Sequence, residues 1–107
     1  MRMVTVIYSP KRLCMFIEGH AGADKKGRDI VCAAISALEF TLMESLFSLE
    51  REGLCTVSAK LTDKGDTIKA QADEDSARVR DTFDTLACGF SLMAEKLPRY
   101  VCFLRGE

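Results

Sequence analysis

The sequence has 107 residues and a mass of 11.9 kDa, so we expect residues 1–107 to form one domain, because two independent cores would need a longer chain. Hydrophobic residues make up 48% and charged residues 29%, a mixture that excludes a disordered chain. The net charge of −1 argues against direct binding of nucleic acid through long-range charge, although residues 1–30 carry six Lys/Arg against three Asp/Glu.

The apolar runs are short. The longest without a charge, residues 30–38, falls well below the roughly 20 residues that span a bilayer. The N-terminus also lacks the apolar stretch and cleavage site of a signal peptide. We therefore expect a cytoplasmic protein with no membrane partner.

The cysteines are odd in number and widely spaced: Cys14, Cys32, Cys55, Cys88 and Cys102. This is unsuited to a disulfide framework and indicates a reducing compartment. There is no Cys-x-x-Cys pair, and the one histidine, His20, cannot complete a usual zinc ligand set. We expect no metal and no other cofactor.

The first third of the chain predicts a β-hairpin followed by a loop. Met3 to Tyr8 is β-branched and aromatic, and the turn at Ser9 to Arg12 leads into a second strand from Leu13 to Glu18. Residues 19–28 contain three glycines and mixed charges with no periodicity, which indicates a mobile loop.

A long helix is predicted next, from Ile30 to about Arg51, with Asp29 as its N-cap. Its apolar residues cover most of the circumference, so the helix must be buried on more than one side. In so small a domain the sheet covers one side only. The other side is covered by the second helix or by a second subunit, and we favour a homodimer.

The second half predicts another hairpin and another helix. Leu54 to Leu61 and Thr67 to Ala72 alternate around a turn at residues 63–66, with inward positions at Cys55, Val57, Ala59, Leu61, Ile68, Ala70 and Ala72. A helix beginning near Asp75 or Ser76 carries one apolar stripe, formed by Val79, Phe83, Leu86, Phe90, Met93 and Leu97.

Pro98 ends that helix, and Tyr100 to Leu104 can add a short last strand. The order is ββαββα with a possible closing strand. It predicts a two-layer α+β domain in which a mostly antiparallel sheet packs against two helices.

One cysteine stands out by its position. Cys32 lies three residues after the predicted N-cap, where backbone N–H groups and the helix dipole favour a thiolate. His20 lies at the other end of the loop, twelve positions earlier, and a loop can bring the two together. A thiolate beside an imidazole is the arrangement of cysteine nucleophiles. The alternative is a buried apolar cysteine and an ordinary loop histidine.

The residues around this pair resemble a known signature. Residues 19–22 (GHAG) and 27–36 (GRDIVCAAIS) are similar to the motif of the bacterial ribosomal-processing cysteine proteases, the Prp family. His, Gly, Asp, Cys and Ser all fall at the spacing of that family. The chain length and the order of elements also agree.

The resemblance implies a cytoplasmic homodimeric cysteine endopeptidase that removes the N-terminal extension of large-subunit ribosomal protein twenty-seven during ribosome assembly. It makes Cys32 the nucleophile and His20 the general base and acid. The substrate loop would then consist of Ala21, Gly22, Ala23, Asp24, Lys25, Lys26, Gly27 and Arg28. This loop lacks an aromatic residue that some members carry, which leaves its share in substrate contacts open.

Two further motif residues have open roles. Asp29 either orients His20 or caps the helix, and Ser36 either hydrogen-bonds near the thiol or bonds back to the carbonyl of Cys32. The amide of Cys32 and a loop amide near Gly22 are the candidate oxyanion donors.

Two other functions fit the sequence. A dimeric assembly factor could bind a ribosomal peptide or rRNA without cutting it, and such a module would not need the pair of Cys32 and His20. A redox sensor would use an oxidisable Cys32. The remaining four cysteines are interpreted as packing residues.

Overall fold

The computed structural model describes residues 3–19, 26–72 and 77–107, and the side chains of residues 26–29 are outside the description. Five strands and two helices lie within these ranges: β1 (Val4–Ser9), β2 (Cys14–Glu18), α1 (Lys26–Arg51), β3 (Cys55–Thr62), β4 (Gly65–Ala72), α2 (Ala77–Lys96) and β5 (Val101–Arg105). The predicted α+β class is confirmed, and the possible last strand exists.

The five strands form one sheet in the order β3-β4-β2-β1-β5. Neighbouring strands are antiparallel except β1 and β5, which are parallel. Because β4 lies antiparallel between β2 and β3, β2 and β3 run in the same direction and α1 is the crossover that joins them. The N-terminal end of α1 therefore lies at the edge of the sheet where β2 ends and β4 begins.

One face of the sheet forms the core with both helices. Alternate strand residues on this face are buried, among them Val4, Val6, Tyr8, Met15, Ile17, Ile68 and Ala70. The ring of Tyr8 stacks on Phe83 of α2 with 5.9 Å between centroids, and its hydroxyl donates a hydrogen bond to Asp84. The α2 stripe predicted by the periodicity is confirmed, with Val79, Phe83, Leu86 and Phe90 buried and Met93 and Leu97 packed against the core.

The far half of β3 extends past the core. Cys55 is buried under α1 with its thiol 3.9 Å from the carbonyl of Leu46, and the amide of Val57 donates to the carboxylate of Glu50. Ala59 and Leu61 are exposed, so their predicted inward burial is wrong. The alternation correctly predicts that Ala59 and Leu61 lie on the helix side of the sheet. None of the described elements covers them there.

The first helix begins four residues earlier than its apolar pattern indicates. It includes Lys26 to Asp29, so Asp29 lies inside the helix and the prediction of an N-cap there is wrong. Lys26 to Arg28 are helical rather than part of the loop. Lys and Arg are good helix formers, and a long helix offsets the cost of Gly27, about 1 kcal/mol.

By length and hydropathy alone, α1 could cross a membrane. Its stretch Ile30–Arg51 includes an 18-residue window with a mean hydropathy of 1.7 and at most two charged residues. The absence of a long uncharged run is therefore not sufficient to exclude a span. In the fold, this helix packs against the sheet and α2, and Ile35, Leu42 and Leu46 are fully buried.

Candidate active site

The thiol of Cys32 faces the interior of the domain. Cys32 is the seventh residue of α1 and is 4% exposed. It shares the inward face of the helix with Val31, Ile35 and Leu42, which are buried as well. The apolar periodicity of α1 thus fixes the side of the helix on which the sulfur lies.

Cys32 does not lie in the first turn of α1, contrary to the prediction. With the helix starting at Lys26, the amide of Cys32 is within the ladder that pairs each N–H with the carbonyl four residues earlier. Because this N–H group already donates a hydrogen bond within the helix, it is a poor candidate for the oxyanion donor. The helix dipole also acts mainly within the first turn, so it gives the thiolate less support than the predicted start implied.

The strand that leads to His20 ends in a constrained position. Gly19 follows β2 with a φ of 96°, a backbone conformation that L side chains rarely adopt. A Cβ at this position would overlap the carbonyl oxygen of Met3, just before β1. The backbone direction at the residue before His20 is therefore fixed by two strands.

His20 and the loop residues Ala21, Gly22, Ala23, Asp24 and Lys25 lie outside the described residues, as do the side chains of Lys26, Arg28 and Asp29. Gly19 and the start of α1 lie at the same end of the sheet, so the topology brings both ends of the signature to one place. Ser36 is half-buried and lies one turn after Cys32. The roles of these residues stay predictions.

A buried aspartate lies at this end of the sheet and was missed by the sequence analysis. Asp66 is 9% exposed and pairs with Ile17, two residues before Gly19. The predicted four-residue turn placed it outside the strands, whereas β4 already begins at Gly65. Its two-residue spacing from Ile68 and Ala70, both buried, was the available signal.

A second buried carboxylate lies on α1. Glu39 is 1% exposed, four residues after Ile35 and three before Leu42, and thus within the inward stripe. Burial of a charged carboxylate costs several kcal/mol unless it is paired or protonated. An acid at a stripe position in a long apolar helix was the signal that could have identified it.

The other four thiols lie elsewhere in the fold. Cys14 is on the outer face of β2, where burial raises the pKa of its thiol. Cys55 is buried under the end of α1, Cys88 is exposed on α2, and Cys102 is half-buried in β5. All five cysteines are thiols rather than disulfides. Within residues 3–19, 26–72 and 77–107, no three His, Cys, Asp or Glu side chains are grouped to hold a metal ion.

Comparison with known proteins identifies relatives over nearly the whole chain. Residues 1–102 match the family model described as Cysteine protease Prp. The structure of SMU.848 from Streptococcus mutans is 28% identical, with a TM-score of 0.73 over 98% of this chain and 96% of that one. No curated protein matches the sequence.

Two structures of the essential ribosomal processing protease Prp from S. aureus have the same fold. The complex with a substrate peptide has a TM-score of 0.76, and the complex with a covalently linked product peptide has 0.72. Each is 17% identical and covers 99% of this chain and 100% of the other.

Proposed function

This chain belongs to the Prp family of cysteine proteases, and we propose that its substrate is the N-terminal extension of large-subunit ribosomal protein twenty-seven. The predicted family is confirmed by the match over residues 1–102, and the protein is a cysteine protease. The S. aureus protein of the same fold is a ribosomal processing protease that binds a substrate peptide, which supports a ribosomal substrate here. Such a substrate also implies action in the cytoplasm.

Cys32 is the proposed nucleophile and His20 the proposed general base and acid. The observation that carries this assignment is the junction of β2 and α1, since Gly19 and the N-terminal part of α1 share one end of the sheet. His20 directly follows Gly19 in the sequence, and Cys32 lies on the inward face of the helix that the junction enters. The other four cysteines lie outside this junction.

The reaction follows from these two groups. His20 takes the proton of the Cys32 thiol, and the sulfur attacks the carbonyl carbon of the scissile peptide. The C–N bond breaks as His20 returns the proton to the leaving amine, which leaves a thioester on Cys32. A water molecule then loses its proton to His20 and attacks the thioester. The C–S bond then breaks as His20 gives this proton to the sulfur, which releases the acid product and restores the thiol.

Asp29 and Ser36 are proposed as supporting residues. Because α1 begins at Lys26, Asp29 is not the N-cap, and orientation of His20 is the role that remains for it. Ser36 lies one turn after Cys32, at the spacing at which helical side chains are neighbours. Residues 21–28 are proposed to contact the substrate, partly from the first turn of α1 and partly from the segment before it.

The substrate proposal is tested by cleavage. Ribosomal protein twenty-seven with its extension is incubated with a substoichiometric amount of the protein, and the new N-terminus is sequenced. We expect removal of the extension with many turnovers per enzyme molecule. A protein that binds the extension stoichiometrically and leaves it intact would instead be a non-catalytic assembly factor, and that outcome would contradict the proposal.

A homodimer is also proposed, through a groove between the outer faces of α1 and α2. The groove has a volume of about 420 Å³ and is lined by Ala34, Ala37, Leu38, Gly89, Leu92 and Met93, with Lys96 at its edge. A Cβ at Gly89 would lie 2.9 Å from a methyl of Leu38, so the glycine lets this leucine lie close against α2. Phe40 on α1 and Leu92 on α2 are 57% and 52% exposed.

A second copy suits this surface because the groove is mostly apolar and Leu92, which lines it, is half exposed. A twofold axis can then pack the groove of one subunit against the same groove of the other. Leu92→Glu should convert a dimer of twice the chain mass, 11.9 kDa, into a monomer in sedimentation experiments. The control is Leu104→Glu, since Leu104 is 50% exposed on β5, away from the groove. A monomeric parent, or a Leu92→Glu protein that stays dimeric, would contradict the proposal.

A further inference from the structure

The sheet has an outer face that neither helix covers. Both helices pack on the opposite face, and the outward side chains at the edge of β3 and β4, Thr56, Ser58, Lys69 and Gln71, are exposed. A groove of about 530 Å³ lies on this outer face. It is bounded by these side chains together with Lys11 and Arg12 from the turn between β1 and β2.

This groove lies far from the candidate active site. The turn of Lys11 and Arg12 precedes β2, and Gln71 is near the end of β4. The groove is therefore at the end of the sheet opposite to the junction of β2 and α1, as well as on the opposite face. It can bind a ligand without using the peptidase residues.

The groove is positively charged and carries hydrogen-bond donors. Lys69 pairs in register with Ser58 on one side and Cys14 on the other, which places the ammonium at its centre. Burial raises the pKa of the Cys14 thiol, and the positive charges of Lys69 and Arg12 partly offset this rise. The two cations therefore reach the same small region.

Among the residues the structure describes, neither Lys69, Arg12 nor Lys11 forms an ion pair. No Asp or Glu within these described residues lines the groove. The nearby Glu107 contributes its main-chain oxygen, which accepts a hydrogen bond from the amide of Lys11. An anionic ligand would supply the missing negative charge.

An aromatic ring continues the same face. Phe16 lies two residues after Cys14 in β2 and is half-buried, with its ring against Gly65. Its register neighbour Thr67 is paired in turn with Lys60, whose side chain is exposed. Cations beside an accessible aromatic ring on an open sheet are the elements with which proteins bind single-stranded nucleic acid.

We propose that this basic groove binds single-stranded RNA through its phosphates, with Phe16 farther along the same face of the sheet in a position to stack on a base. Lys69, Arg12 and Lys11 neutralise the backbone, and the hydroxyls of Thr56 and Ser58 together with the amide of Gln71 supply neutral hydrogen bonds. The overall charge of −1 does not oppose this, because none of the acidic residues that the structure describes lines the groove. The proposal is independent of the identity of the peptide substrate.

The test is fluorescence anisotropy with a labelled polyuridylate of about 16 nucleotides, a length suited to one single-strand site. We expect the affinity of the parent to fall with salt, with a log–log slope near −2 for three phosphate contacts at about −0.7 each. Arg12→Ala/Lys69→Ala should bind at least tenfold more weakly and with a shallower slope. The matched control, Lys64→Ala/Arg99→Ala, removes the same charge from two exposed turns outside both grooves and should bind like the parent.

Cleavage of a short peptide substrate, measured in parallel, should be equal in all three proteins and shows that each is folded. Equal RNA affinity in the two double variants would overturn the proposal, as would affinity that does not change with salt. Polyglutamate that displaces the RNA at equal charge concentration would also overturn it, in favour of an acidic peptide ligand.

Discussion

Gly19 packs so closely against the carbonyl oxygen of Met3 that no side chain fits at the position directly before His20. Met3 precedes β1 and Gly19 follows β2, so the hairpin itself directs the chain as it leaves the sheet. This contact fixes the position of Gly19, the first residue of the signature. The helix α1 fixes the positions of Cys32 and Ser36 near the end of the signature.

The contact makes Gly19→Ala a specific test of how the site is built. We expect loss of at least about 2 kcal/mol of stability, since the positive φ alone costs 1–2 kcal/mol and the overlap with Met3 adds to it. Peptidase activity should fall more than tenfold, because the backbone before His20 must move. Chemical denaturation and peptide cleavage measure the two effects.

The control for this variant is Gly53→Ala. Gly53 also has a positive φ, of 82°, but a Cβ there would meet no atom within 4 Å. It should lose stability through φ alone and keep the activity of the parent. Equal activity in the two variants would show that the geometry at Gly19 does not position His20.

The acidic limb of the pH–rate profile should depend on His20. In the parent, kcat/KM should rise with pH as the imidazole loses its proton, because only the neutral ring can accept the proton of the thiol. His20→Ala should lose most of its activity, and the remainder should lack this limb. The profile is measured with a short peptide over pH 5–9, and an unchanged limb in the variant would assign it to another group.

The hydroxyl of Tyr8 should make stability depend on pH in the alkaline range. Burial raises the pKa of this hydroxyl, and its hydrogen bond to Asp84 and the charge of that carboxylate raise it further. A raised pKa in the folded state stabilises the protein below the unfolded value of about 10, and the contribution is lost as the pH rises toward the folded value.

Tyr8→Phe removes this group and its hydrogen bond. The variant should lose about 1 kcal/mol at neutral pH, and its free energy of unfolding should fall less than that of the parent between pH 9 and 11. Urea denaturation at each pH measures both effects. A variant whose pH dependence matches that of the parent would show that Tyr8 does not carry the alkaline loss.

Asp66 should contribute to stability in a way that the neighbouring Asp63 does not. Asp66 is 9% exposed on the helix side of β4, whereas Asp63 is exposed in the turn before it. Asp66→Asn should cost about 1–3 kcal/mol, since buried polar groups depend on their partners, and Asp63→Asn should stay within about 0.5 kcal/mol. Similar losses from both changes would indicate that the buried carboxylate has no special role.

Periodicity in the sequence was enough to predict the elements and their faces. The stripe from Val79 to Leu97 predicted α2, and the β-branched run before Ser9 predicted β1, because burial on one face leaves a repeat in the sequence. The start of α1 was not predictable from the apolar pattern, since Lys26 to Asp29 are polar and become helical by extension from the long helix. The exposure of Leu61 depends on where the helices end over the sheet, which alternation does not encode.

Less of the candidate site than of the fold could be predicted from the sequence. The signature in residues 19–36 was sufficient to recognise the family, whereas the placement of Cys32 in the first helical turn was wrong because α1 begins before Asp29. Asp66 was assigned to a turn, although its two-residue spacing from the buried Ile68 and Ala70 pointed to the inner face of β4. The open outer face follows from both helices packing on one side of the sheet, which depends on the topology.

Replacement of Cys32 is the most direct test of its assignment as the catalytic nucleophile. Cys32 and Cys55 are both buried thiols, 4% and 5% exposed, but Cys55 lies at the start of β3 under the end of α1. Each is changed to Ala, and cleavage of the ribosomal protein extension is followed by mass spectrometry. Circular dichroism on the same samples shows whether each variant is folded. We expect folded Cys32→Ala to cleave nothing and Cys55→Ala to cleave like the parent. Cleavage by purified Cys32→Ala would contradict the assignment of Cys32 as the nucleophile.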